Sequence, residues 1–181
     1  MKTHQFTLIV EGPDLQDDAN LEALFEAGCD DSTIGRVGAT QYLDFDRRAA
    51  TFADAVLGAA EAVESALPGA RVVHLEPDEL VTASEIAERT GRTRESVRML
   101  ISGDRGPGGF PAPATHFKRR QRMWRWQEVV GWLSQSQVDV STADDAERAP
   151  FITALNAGLH WRAAHNRVSP EQRQRLRKLV G

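Results

Sequence analysis

The sequence predicts an α+β protein: a βαββαβ succession at its N-terminal end, then helices and tight turns around a basic hairpin, then further helices. Three observations predict it. Runs of β-forming residues occur at 4–10, 32–37, 40–46 and 71–75, and apolar residues at helical spacing fill the intervals at 21–25 and 52–67. From residue 82 onward, helical patterns separated by glycine and proline replace the strands. With 181 residues, 41% hydrophobic and 27% charged, the chain suits one large or two small folded domains and excludes a disordered or collagenous protein.

His4-Gln5-Phe6-Thr7-Leu8-Ile9-Val10 reads as a strand ended by Gly12-Pro13. Asn20 is expected to cap a short helix with Leu21, Leu24 and Phe25 on one face and Gly28 at its end. Gly38-Ala39 separates two hairpin strands, the second placing Tyr42 and Asp44 on one face and Leu43 and Phe45 on the other. Thr51 opens a helix carrying Phe52, Val56, Ala59, Ala60, Val63 and Leu67, and a strand follows at Arg71–Leu75. This order is that of a split βαβ, ferredoxin-like sandwich over residues 1–79. Such sandwiches sense ligands, dimerise or catalyse, so the fold licenses no activity by itself.

Residues 80–133 carry the chemistry. Thr82-Ala83-Ser84-Glu85 is a capping box, Ala87 lets two helices approach, and Gly91 permits the turn between them. Ile86, Val97 and Leu100 fill the space inside, which is the pattern of a helix-turn-helix. Thr93, Arg94 and Glu95 then begin the second helix, with Arg98 and Met99 one turn on, where a recognition helix meets the major groove. Arg94 and Arg98 share a face and suit bidentate contact with guanine; Arg92 and Thr93 suit phosphates. After Gly106-Pro107-Gly108-Gly109, which reads as a linker, residues 117–125 hold five cations: Lys118, Arg119, Arg120, Arg122 and Arg125. That density suits a wing clamping phosphates. Trp124 and Trp132 are expected in the core, with Val129 and Leu133.

From Val81-Thr82-Ala83-Ser84-Glu85-Ile86-Ala87, through Phe110-Pro111-Ala112-Pro113, to Trp124, Glu128-Val129 and Trp132-Leu133, the segment resembles the winged helix-turn-helix of excisionases and MerR-type regulators. The Gly-Pro-Gly-Gly-Phe-Pro-Ala-Pro and Met-Trp-Arg-Trp runs are also similar to small actinobacterial helix-turn-helix proteins. The resemblance implies DNA binding over about residues 80–133. The chain departs from it in having an acidic N-terminal domain and no long dimerising coiled coil.

Residues 134–181 read as a polar linker at 136–142, a helix at Ala149–Ala164 with Phe151, Leu155, Leu159 and Arg162 on one face, and a basic last helix opened by Ser169-Pro170-Glu171-Gln172. Net charge separates the three segments: 5 Lys/Arg against 16 Asp/Glu in 1–79, 10 against 5 in 80–133, and 7 against 5 in 134–181. Only the middle suits a polyanion.

Catalysis finds little support. The histidines His4, His74, His116, His160 and His165 form no zinc-type spacing, Asp44 and Asp46 read as surface carboxylates, and Cys29 reads as an inert thiol. No enzyme activity, cofactor or metal is expected. No run of about 18 apolar residues occurs, and the start leads into a strand rather than a secretory segment, so a cytoplasmic protein without membrane contact is expected. The expected function is sequence-specific binding of double-stranded DNA by a homodimeric transcriptional regulator. The alternatives are an excisionase-like architectural factor that bends DNA, and an antitoxin or adaptor whose acidic domain covers a partner protein. No small-molecule ligand can be named from the sequence.

Overall fold

The computed structural model describes residues 1–115, 122–136 and 143–180, with the side chains of all of these except Ala143 and Val180. In chain order the elements are β1 (Lys2–Glu11), α1 (Asp18–Glu26), β2 (Ser32–Val37), β3 (Thr40–Ala49), α2 (Phe52–Ala66) and β4 (Arg71–Glu76). Then come β5 (Leu80–Val81), α3 (Ala83–Arg89), α4 (Arg94–Ser102), β6 (Trp124–Arg125), α5 (Trp126–Gln135), α6 (Ala143–Ala164), a 3-10 turn (His165–Arg167) and α7 (Pro170–Val180). The fold is mixed α+β and divides into two compact units: Met1–Pro77 with the residues from Ala154 onward, and Asp78–Thr153. The 134–181 segment is thus shared between the units. No helix among the described residues is long and apolar enough to cross a membrane.

In the first unit the four strands form an antiparallel sheet in the order β2-β3-β1-β4. Period-2 alternation turns His4, Phe6, Leu8 and Val10 of β1, and Leu43 and Phe45 of β3, to a buried face. α2 packs on β1, β3 and β4. It buries Phe52, Ala55, Val56, Ala59 and Val63 at helical spacing, with Thr51 as its cap. Burial of each large aliphatic side chain here stabilises the unit by about 1.5–3 kcal/mol. Phe6 stacks on Phe45 with centroids 5.2 Å apart, and the edge of Phe52 meets the Phe6 ring at 5.9 Å. The Gly38-Ala39 turn joins β2 to β3 with Val37 opposite Thr40. On the other sheet face Thr7 donates to Asp44 and Gln5 to Asp46, so these carboxylates take cross-strand donors. Cys29 is buried, and desolvation pushes its thiol up, with Arg47 opposing.

Two expectations for α1 are corrected. Its cap is Asp17, whose carboxylate accepts from Ala19 N–H, while Asn20 donates instead to the Asp14 carbonyl. Of the expected apolar face only Leu24 is buried; Leu21 and Phe25 are exposed.

The edge of β4 is closed by side chains. Asn156 of α6 is fully buried and bonds Leu75 twice, accepting from its N–H at 2.8 Å and donating to its carbonyl at 2.9 Å. It offers β4 the donor and acceptor that a further strand would supply. Three residues earlier in β4, Val72 N–H donates to Glu64 at 2.8 Å, and Arg162 donates both to Glu64 and to the Val72 carbonyl. His74 and His160, far apart in sequence, stack with centroids 5.6 Å apart. The Ser169 cap of α7 forms as expected, with Gln172 N–H donating to Ser169 Oγ and Ser169 N–H to Gln172 Oε1.

In the second unit β5 and β6 pair antiparallel, Val81 opposite Trp124. Val81, Ile86, Ala87, Val97, Trp124, Trp126, Val129, Val130, Leu133 and Ala149 make one core. Ala149 lies beyond residue 133, so this core draws on the first turns of α6, whose helix continues through Pro150.

The Asn156→Ala substitution removes both bonds to Leu75 and leaves a buried N–H and C=O unsatisfied, at about 1–3 kcal/mol each. Chemical denaturation is expected to show a loss of about 2–6 kcal/mol by the same reasoning. A loss indistinguishable from zero would show that Asn156 does not hold the β4 edge.

Candidate nucleic-acid interface

The helix pair α3–α4 is set by its caps. Thr82 Oγ1 accepts from Glu85 N–H at 3.3 Å, and Glu85 Oε2 accepts from Thr82 N–H at 2.6 Å, a complete capping box. Gly91 takes φ 62° at the turn, a conformation costly for a residue with a Cβ. Thr93 caps α4 by accepting from Ser96 N–H at 3.1 Å, and Gly103 ends it in the left-handed region at φ 80°.

α4 is sharply two-faced. Val97 and Leu100 are buried, Val97 in one core with Ile86, Ala87, Trp124 and Trp126, whereas Thr93, Arg94, Glu95 and Arg98 are exposed and Arg92 and Met99 are half-buried. Arg98 forms a bidentate pair with Glu95, Nε to Oε2 at 2.9 Å and Nη2 to Oε1 at 2.7 Å. The guanidinium holds the Glu95 carboxyl below the usual carboxylate range, mainly by its hydrogen bonds. Both side chains are about 60% exposed, so the pair adds little stability and its guanidinium is open to exchange partners.

Arg98 lines a cleft of about 460 Å³ with Thr82, Ser84, Ile101, Ser102, Arg122 and Trp124. Two cations distant in sequence, Arg98 and Arg122, are thereby brought to one concave surface, and Arg122 also lies over the Trp124 ring at 5.8 Å. Arg125 is exposed, with Nε 3.9 Å from Glu128. Lys118, Arg119 and Arg120 fall outside the described residues.

Of the two expected core tryptophans Trp124 is buried and Trp132 is half-buried against the core, and both bond the segment 108–111. Trp124, 2% exposed, donates its indole N–H to the Pro111 carbonyl at 3.1 Å, and Trp132 donates to the Gly108 carbonyl at 3.0 Å. Phe110 packs edge-on against both. Within Gly106–Gly109, expected as a linker, the Gly108 carbonyl is thus held by Trp132, 24 residues on. Trp126, also buried, carries Arg89 at 5.2 Å from its ring. Burial depresses the basicity of Arg89, with Glu85 and Asp145 opposing, and its guanidinium reaches the Asp78 carbonyl. Arg89 was not among the expected site residues, and its helical position on α3 gave no signal apart from charge.

Counted over the folded units, charge differs from the linear segments: Asp78–Thr153 holds 11 Lys/Arg and 11 Asp/Glu, and the other unit 11 against 15. Any polyanion site is thus local. Compared with protein-family models, curated proteins and solved structures, the chain matches none.

Removing the α3 cap tests whether it sets the helix pair. Thr82→Ala is expected to lower stability by about 0.5–2 kcal/mol in urea titration. An unchanged midpoint would mean that core packing alone holds α3 in place.

Proposed function

We propose that the chain is a sequence-specific double-stranded DNA-binding protein acting as a transcriptional regulator, in which the second unit is a winged helix-turn-helix. The observation that carries this reading is the exposed Arg94–Arg98 face of α4, anchored from behind by Val97 and Leu100, with Arg122 on the cleft beside it. A major groove about 12 Å wide admits such a helix, and a guanidinium bonds guanine O6 and N7 in pairs. Arg94 and Arg98 are the proposed base readers. Arg92, the Thr93 hydroxyl, Arg122, Arg125 and the run Lys118, Arg119, Arg120 are the proposed phosphate contacts, with Met99 and Glu95 at the groove. Glu95 keeps the Arg98 fork extended in the absence of DNA, and a base edge replaces it on binding.

The first unit is proposed as a ferredoxin-like sandwich. Its support is the strand order β2-β3-β1-β4 with α2 on one face. One recognition helix reads few base pairs, so a two-fold homodimer through this N-terminal unit is proposed to supply a second.

Selection of full-length chain against a random duplex pool is expected to yield an inverted repeat with half-sites about 10 base pairs apart. Affinity should fall with salt at a slope of about −0.9 per phosphate contacted. Binding that ignores salt, or no binding at all, would reject the proposal.

Two substitutions separate the roles. Arg98→Ala should cost about 1–3 kcal/mol on the selected site and little on random DNA. Glu95→Gln removes the competing carboxylate and is expected to strengthen binding to the selected site in a fluorescence-anisotropy titration. Equal losses on both DNAs for Arg98→Ala would move it to the backbone; weaker binding of the selected site by Glu95→Gln would contradict the exchange of partners.

A further inference from the structure

We infer that α7 of one copy docks along the outward face of α1 of a second copy, and reciprocally, so that the first unit carries both halves of a self-complementary contact. The inference rests on the homodimer proposed above and names its surface.

Both helices leave apolar side chains in water. On α1, Leu21 is 38% and Phe25 67% exposed; on α7, Leu179 is 81% exposed, and no described residue of that helix is buried. Helical spacing groups them. Leu21 and Phe25 are four apart, flanked on the same stripe by Asp18 and Glu22, with Glu26 beside it. Leu176 and Leu179 are three apart, with Arg173 on one side of the stripe and Arg175 on the other. Val168, Gln172, Arg175, Leu176 and Leu179 line a shallow, open hollow of about 380 Å³ along the same helix.

The flanking charges are opposite in sign throughout. Residues 11–31 carry eight acidic and no basic residues, and residues 162–178 carry six basic and one acidic. At nine and eleven residues the helices run about 13 and 16 Å, so one can cover the other along its length. A second copy satisfies both faces with one two-fold operator, whereas a nucleic acid or an anionic membrane would cover only α7 and leave Phe25 exposed. An apolar stripe rimmed by complementary charge is also the anatomy of a specific protein interface.

Charge reversal on the full chain tests this. One variant carries Glu22→Arg with Glu26→Arg, the other Arg173→Glu with Arg175→Glu, and far-ultraviolet circular dichroism checks that both fold. In sedimentation velocity at micromolar concentration the wild type is expected as a dimer, and each variant alone as a dimer weakened by about tenfold or more. An equimolar mixture of the two variants should recover a dimer containing one of each, because every α1–α7 contact in it again joins opposite charges. A wild-type monomer would overturn both this contact and the homodimer. A dimer that persists unweakened in either variant would overturn this contact and leave a homodimer built on another surface. Failure of the folded variants to pair on mixing would overturn the exchange.

Discussion

Val97 and Leu100 have to leave water, and a helix of nine residues that buries both, with Val97 in the core beside Ile86, Ala87 and Trp124, has no freedom over which side chains it shows. At 100° per residue, Arg94, Glu95 and Arg98 fall on the solvent side because those two positions fall on the core side. The remaining pieces preserve that orientation. The Thr82–Glu85 box and the Thr93 cap fix where α3 and α4 begin, and the indole N–H groups of Trp124 and Trp132 tie the glycine-rich segment against the same core. A core this small is sensitive to each contact. The proposed interface therefore depends on apolar packing that no ligand touches.

Folding also rearranges the electrostatics. The strongly acidic first 79 residues and the basic stretch after them suggest two oppositely charged domains. The C-terminal cations join the acidic first unit, where Arg162 pairs with Glu64 and bonds β4, and the acidic start of α6 joins the other unit, where Asp145 lies near Arg89. Each unit ends near neutrality relative to its size. What distinguishes the α4 side is placement: Arg98 and Arg122 on one cleft, with Arg94 one turn before Arg98 on α4, rather than an excess of cations.

Local signals were legible and long-range ones were not. Thr82-x-x-Glu85, Gly91, Thr51 and Ser169 announce their roles because the groups they satisfy lie within a few residues. Asp17 and Asn20 are both capable caps three residues apart, and the apolar pattern around Leu21 and Phe25 favoured the wrong one by assuming that both are buried. The two-residue strands β5 and β6 are too short for any periodicity. Asn156 reads as an ordinary helix residue, because its partner Leu75 is 81 positions away. Within the site, α4 followed from sequence spacing, while the meeting of Arg98 with Arg122 and the stacking of Arg89 on Trp126 required the fold.

The central claim is that duplex DNA meets the chain on the solvent face of α4. Amide chemical-shift mapping of the isotopically labelled full chain, titrated with its selected duplex, tests it directly. The account predicts that the shifted amides concentrate at Thr93–Ser102 and Arg122–Arg125. Shifts confined to Met1–Pro77, with α4 unmoved at saturating duplex, would contradict it.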